Sequence, residues 1–343
     1  MKLKLKKLWK IKKSRLIIIA VLVVLAAAIV VAQILINGKS TAKSETVTYA
    51  MGTAVEQTVY GNDCETATEN GAQAAEKLES LLSWKLEDSD IYKINANAGK
   101  DWTEVSATTE NILNQALEVS KESGGAFDIT ILPLSNLWGF DNSPTEPPSD
   151  DMISKVLEKV DYSALRYNAE NSSYSFKSSG YALDLSAVGN GAACDVIIAE
   201  YKALDIDRAM VSVGGSIGVY STGDYSWTIG IENSDSSKII GKVKITSGYC
   251  STSGTAKSFE YGGKTYHHIL DITTGYPVET DLASVTVFCD NGTISDALAT
   301  ACFCLGYEDS QTLLEKYNAN AVFVYNDDSV KTTSNLNYVS LEN

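Results

Sequence analysis

The sequence predicts a single domain of mixed helices and strands carried behind an apolar N-terminal helix. Three observations lead there. Leu16 to Ile36 is a run of 21 uncharged residues preceded by seven Lys and one Arg. After it, helical spacings and strand-like alternation succeed one another with no second linker, internal repeat or low-complexity block. The last third is then crowded with β-branched stretches such as Ala283 to Cys289.

Length and charge narrow the classes. The chain has 343 residues, 44% of them hydrophobic, and a formal charge of −15. Residues 1–43 hold ten Lys/Arg and no acid, which leaves 18 basic and 43 acidic residues in 44–343, a balance of −25. A domain so acidic would repel phosphate backbones, so nucleic acid is excluded as a partner.

At about 1.5 Å per residue the 21-residue run spans a hydrocarbon core of about 30 Å. Its basic flank places residues 1–15 in the cytoplasm and the rest outside. The run exceeds an ordinary signal-peptide core, and Asn37-Gly38-Lys39 is not a small-x-small cleavage site. The expectation is therefore an uncleaved signal anchor over 16–36, a linker over 37–46, and an extracytoplasmic domain over 47–343 of a single-pass membrane protein. Six cysteines, at 64, 194, 250, 289, 302 and 304, form no C-x-x-C pair. They read as buried apolar residues, with neither a zinc site nor a dense disulfide framework, and a single disulfide outside the membrane stays open beside that reading.

Within the domain, Val47 to Tyr60 reads as one entering strand around Met51-Gly52-Thr53. Ala67 to Leu82 has helical spacing, Asp88-Ser89-Asp90 caps a short turn ending at Ile94-Asn95, and Thr108 to Ser123 is a second helix stopped by Gly124-Gly125. Ala126-Phe127-Asp128 follows that glycine pair, and a carboxylate there is well placed to meet a ligand. Trp138 and Phe140 read as core aromatics, residues 142–150 as a proline-bearing surface loop, and Met152 to Val160 as a helix. Tyr181 to Gly191 passes from an apolar strand through Asp184 and Ala187 into a glycine loop, with a helix over Ala192 to Leu204. Strand, glycine loop and helix make a phosphate cradle in principle, because loop amides and a helix N-terminus favour an anion. Strands follow at 209–213, 227–232 and 242–246, and Tyr261 to Tyr266 is a hairpin.

Residues 267–306 carry the chemistry. His267 and His268, the only histidines, precede a Thr274-Gly275-Tyr276-Pro277 turn. Ser295 can cap a helix with Asp296 in its first turn and Thr300 four residues on, on the same face. A carboxylate and a hydroxyl at that spacing suit a hard cation and a phosphate. Taken singly these features are ordinary, since Ser-Asp pairs cap helices and a His beside a turn is commonly structural.

In combination and in order, the motifs resemble the FAD:protein FMN transferase (ApbE) family. The matching stretches are Met51-Gly-Thr, Leu82-Ser83 with Asp88-Ser89 and Asn95, Gly124-Gly-Ala-Phe-Asp128 through Trp138-Gly-Phe140, Leu183-Asp-Leu185 with its glycines, Val213-Gly-Gly215, Thr252-Ser-Gly254, His268-Ile-Leu-Asp271 with Thr274-Gly-Tyr-Pro277, and Asp296-Ala-Leu-Ala-Thr300. The resemblance covers roughly residues 47–310 and implies an α+β fold, a single mixed α/β catalytic domain of the ApbE type. It implies an Mg²⁺-dependent enzyme that moves FMN from FAD to a Thr or Ser hydroxyl of an acceptor protein through a phosphoester, releasing AMP. Mg²⁺ would be held by Asp296, Thr300 and the carbonyl of Ala187. FAD would lie along Met51, Ala126, Phe127, Asp128, Asp184, Asn190 and the main chain near Leu270. His268 is implied at the reacting centre, either as general base or as a group that orients substrate, and His267 should face away from it. The implied partners are acceptor flavoproteins of electron transport at the membrane or cell surface. Two other readings stand beside this one: an Mg²⁺-dependent FAD pyrophosphatase giving FMN and AMP, and a non-catalytic extracytoplasmic flavin-binding protein. The sequence departs from the family pattern at Asn190, where Lys is common, at Lys85 with Trp84 one place early, at Ile272, and at Thr255-Ala256.

Overall fold

The structure, a computed structural model, describes residues 42–341. The basic segment 1–15, the apolar run 16–36 and residues 37–41 of the expected linker lie outside the described residues. Among the described residues no helix is long and apolar enough to cross a membrane.

An eight-stranded sheet forms the centre. From edge to edge it runs Lys43–Ala50, Thr53–Gly61, Ile206–Val213, Ser216–Ser221, Gly248–Gly254, Leu282–Cys289, Asn320–Tyr325 and Val330–Thr332. Every neighbouring pair is antiparallel. Its strands alternate in the manner of a sheet covered on both sides. In Asn320–Tyr325, Ala321 and Phe323 join one core while Val322 and Val324 join another. The first core lies beneath the helices Cys64–Leu82, Ser186–Lys202 and Gly292–Lys316. The second is closed by a three-stranded sheet of Tyr338–Ser340, Ile239–Ile245 and Trp227–Glu232. A third, around Leu134, Trp138 and Leu270, supports one end of the molecule, where the short helices Leu132–Trp138 and Asp150–Leu157 meet the Ser258–His267 hairpin. All six cysteines are free.

Four expectations need correction. The stretch 47–60 is not one strand but two, and the first begins at Lys43, inside the expected linker. The reason is the two-residue turn Met51-Gly52 with φ of 56° and 73°, the left-handed pair that closes a tight hairpin. Secondly, Tyr181–Leu185 is not a strand. It has only the bridge Ala182 to Ile131, and the Asn95 side chain clamps Leu183 by accepting from its N–H and donating to its C=O, at 2.7 and 3.0 Å.

The third correction matters most for function. The glycine loop does not exist, because the helix already begins at Ser186 and Gly189 to Gly191 lie within it. Gly191 is where this helix crosses the start of the Gly292–Lys316 helix. A Cβ on Gly191 would sit 2.0 Å from the Gly292 carbonyl oxygen, and one on Gly292 would sit 2.3 Å from that of Gly191. These glycines serve backbone-to-backbone approach rather than an anion. Finally, Ser295 does not cap its helix. The cap is Asn291, whose side chain accepts from the Ile294 N–H at 2.8 Å, and Ser295 lies inside the first turns.

Candidate active site

A cleft of about 1430 Å³ opens where the Met51-Gly52 turn, the start of the Ser186–Lys202 helix, the end of Gly248–Gly254 and the His268–Leu270 segment converge. All eleven residues singled out from the sequence line it: Met51, Ala126, Phe127, Asp128, Asp184, Ala187, Asn190, His268, Leu270, Asp296 and Thr300.

The helix crossing places the acid. With no side chain between the backbones at Gly191 and Gly292, Asp296 Oδ2 accepts the Gly191 N–H at 2.9 Å. In a regular helix that N–H serves the carbonyl of Ala187, so Asp296 competes for the donor and leaves lone-pair capacity on a carbonyl at the cleft wall. Asp296 is buried, and burial pushes its carboxyl up to about 6, against the N–H and hydroxyl donors that hold it. Among the described residues the groups that bear most on it are these donors and the Asp195 carboxylate, which adds to the upward push. One turn on, Thr300 Oγ1 lies 2.9 Å from Ser253 Oγ. Deeper in, Ser295, Ser251 and Ser216 join in a buried hydroxyl chain with 2.8 Å links.

The two histidines divide as adjacent residues on extended backbone do. His267 is buried, its Nε2 3.0 Å from the Val278 carbonyl and its ring edge-on to Phe303. His268 opens to the cleft, and its Nδ1 lies 3.2 Å from the Lys257 carbonyl, which also accepts the His268 main-chain N–H at 3.1 Å. A carbonyl can only accept, so Nδ1 carries the proton and Nε2 keeps its lone pair. Desolvation lowers both histidines below the usual range, so each is neutral near pH 7.

The two acidic residues expected along the flavin also hold the local backbone. Asp128 accepts from Thr130 N–H and Oγ1, both at 2.7 Å, and from Tyr162 N–H at 2.8 Å. It organises the loop that presents Ala126 and Phe127, and burial raises its carboxyl. Asp184 accepts the Ser186 N–H at 2.9 Å at the start of the cleft helix, and burial raises it likewise.

Several contributors escaped the sequence reading. Asp195 accepts the Gly292 and Thr293 N–H groups at 2.7 and 2.8 Å, so the N-terminus of the Gly292–Lys316 helix is already occupied by a carboxylate. Lys85, Asp141 and Lys257 form an ion-paired trio at the cleft. Only Lys85 carried a signal, as a departure from a pattern. Among the described residues no group of three or more His, Cys, Asp or Glu is arranged to hold a metal. A cation at Asp296 would therefore rest on one carboxylate with neutral oxygens, a donor set that suits Mg²⁺ with phosphate and water filling the rest.

The ApbE family profile matches residues 51–323, a span that contains every one of these residues. The chain belongs to the ApbE family. It is 32% identical over 279 residues to the FAD:protein FMN transferase of Treponema pallidum (strain Nichols), covering 75% of this chain and 76% of that protein. It is 30% identical over 296 residues to the FAD:protein FMN transferase of Escherichia coli (strain K12), covering 82% and 84%. The crystal structure of the ApbE protein from Thermotoga maritima superposes with a TM-score of 0.76 at 26% identity, over 85% of this chain and 97% of that one. The apo flavinyl transferase ApbE of Pseudomonas stutzeri does so with a TM-score of 0.73 at 26% identity, over 85% and 94%. The mixed α/β architecture is thus the ApbE fold.

Proposed function

We propose that this chain is an FAD:protein FMN transferase that moves FMN from FAD to a Thr or Ser hydroxyl of an acceptor protein and releases AMP. The observation that carries the reading is one cleft holding both a buried carboxylate held, among the described residues, by N–H and hydroxyl donors and a histidine whose Nδ1 faces the Lys257 carbonyl, which turns Nε2 into the acceptor. A buried carboxylate without a countercharge is costly unless a cation neutralises it. Asp296, the Thr300 hydroxyl one turn on and the Ala187 carbonyl are the oxygens that would hold Mg²⁺. When bound, Mg²⁺ neutralises phosphate oxygens and draws charge from the leaving group, an effect of several kcal/mol in chemistry of this kind.

The chain's own residues would do the rest. The acceptor oxygen forms a bond to the flavin-side phosphorus, and the bond from that phosphorus to the bridging oxygen breaks, with the electron pair leaving on AMP. His268 Nε2 takes the hydroxyl proton, a task worth about 10² to 10⁴ in rate. The Lys257 carbonyl keeps the proton on Nδ1, so the imidazole arrives in the receptive tautomer. Met51, Ala126, Phe127, Asn190 and the Leu270 main chain would border the flavin nucleotide, while Asp128 and Asp184 hold the loop and helix start in place.

Transfer is tested by incubating the full chain with FAD, Mg²⁺ and a candidate flavin-acceptor domain. A mass gain on the acceptor equal to FMN, lost in chelator, is expected. FMN and AMP appearing with no mass gain on any acceptor would replace the transferase with an FAD pyrophosphatase. The same reading makes residues 16–36 an uncleaved anchor, with the catalytic domain outside the cytoplasm and acceptor flavoproteins of membrane electron transport within reach.

A further inference from the structure

The residues lining the cleft include seven carboxylates and only two ammonium groups, Lys85 and Lys257. Both ammonium groups are bound to one carboxylate, Asp141. Lys85 Nζ lies 3.2 Å from Oδ2, and Lys257 pairs with Oδ1. The three residues come from separate segments: Lys85 follows the Cys64–Leu82 helix, Asp141 sits in the turn Phe140–Asn142, and Lys257 precedes the Ser258–Tyr261 strand. All three side chains are open to water, at 59%, 58% and 48% exposure. Ion pairs so exposed are weak and exchange partners readily.

We propose that Asp141 is a counter-ion latch, holding the cleft's two ammonium groups until a phosphate group of the ligand displaces it. The inference rests on the flavin-dinucleotide reading above. Charge decides the matter: even with one cation set against Asp296, a diphosphate entering a cleft of seven carboxylates meets net repulsion, which the two ammonium groups offset when they turn toward it. Released from Asp141, they match its two negative charges. The exchange also reaches the reacting centre. The Lys257 carbonyl fixes the His268 tautomer, and Phe140, next to Asp141, packs edge-on to the His268 ring with centroids 6.5 Å apart. Arrival of phosphate at Lys257 is thereby linked to the segment that orients His268.

The test is equilibrium dialysis of the full chain in detergent with FAD, and separately with riboflavin, Mg²⁺ being withheld to stop turnover. Removing the competitor without changing shape, Asp141→Asn should tighten FAD about three- to tenfold, the range for releasing two exposed pairs. Asp141→Glu, which keeps the charge, should stay within about twofold of the parent. Lys257→Gln and Lys85→Gln should each weaken FAD several-fold, more so at low salt. Riboflavin lacks phosphate and should bind all variants alike. FAD binding by Asp141→Asn that is unchanged or weaker overturns the latch, as does equal tightening of riboflavin. A parent that binds neither ligand overturns the flavin reading itself, and the latch with it.

Discussion

Replacing Gly191 with Ala is the perturbation that most directly tests how the site is built. A Cβ there would sit 2.0 Å from the Gly292 carbonyl oxygen and 2.8 Å from Asp296 Cβ. Ordinary contact begins at 3.4 Å, so the obstructing backbone must give by about 1.4 Å. Helix backbone cannot yield as a side-chain tip does, so the two helices must part. Overpacking of this kind costs about 1–3 kcal/mol, or about 2–5 °C in melting temperature for a domain of this size. The same movement carries Asp296 away from the Gly191 N–H and from Ala187, and a misplacement of about 1 Å costs about 10²-fold in rate. Gly189→Ala is the control. Its Cβ would meet only the flexible Met51 Cε at 2.9 Å, and Ala is the better helix former by about 1 kcal/mol, so its stability should hold or rise. Thermal melts followed by circular dichroism, with FMN transfer measured over an Mg²⁺ titration, decide the case. Parental stability and activity in Gly191→Ala, or greater destabilisation by Gly189→Ala, would refute the helix-crossing argument.

Three further outcomes follow from the site. His268→Ala should lower single-turnover transfer at least about 10²-fold with FAD binding little changed, and should remove the His268 share of the acidic limb of the pH–rate profile, leaving the share set by Asp296. In the parent that limb should lie below about pH 6.5, since desolvation lowers His268 from the ordinary value. Asp296→Ala should abolish transfer while keeping the fold, and full activity of that variant in chelator would show the cation to be elsewhere. His267 is held neutral by burial, so its stabilisation is complete above its unfolded pKa of about 6.5 and is lost as pH falls through its lower folded value. Urea titrations at pH 7.5 and 5 should therefore show a smaller acid-induced loss in His267→Gln than in the parent, and an equal loss in both would sink that reading. The anchor is checked by intact mass of membrane-extracted protein, where a mature N-terminus between Ala32 and Lys43 would contradict it.

The sequence made the helices 67–82 and 108–123 legible to within three residues, because periodic burial, and in the second the Ser106 cap, act over one or two turns. The Ala283–Cys289 strand was equally plain, being β-branched and buried on both faces. What misled was glycine. Gly189 and Gly191 read as a loop because glycine is a poor helix former, yet the Gly191 position is dictated by a second helix 100 residues away in sequence. No local window contains that constraint. Met51 failed for the opposite reason, since a methionine at φ 56° gives no sign of a turn beyond the Gly that follows it. The site residues were legible as types at spacings, and Asp296 with Thr300 could be placed on one helix face. Asp195 and Asp141 could not be found, because each acts on partners from other segments and looks like any surface acid.

These failures share a cause that bears on the chemistry. On the proposed reading, an acid that takes a cation must be kept near a dry wall without a permanent countercharge, and the usual stabiliser, an Arg or Lys, would occupy the site. Here Asp296 is held by N–H and hydroxyl donors instead. Such donors partly offset burial but do not neutralise the charge, which is why the carboxyl remains pushed up to about 6 rather than below the usual carboxylate range. The donor can reach it only because Gly191 and Gly292 let two backbones touch. The glycines, the raised acid and the N–H and hydroxyl donors that hold it are thus one arrangement, which makes the helix crossing as much a part of the site as the carboxylate it positions.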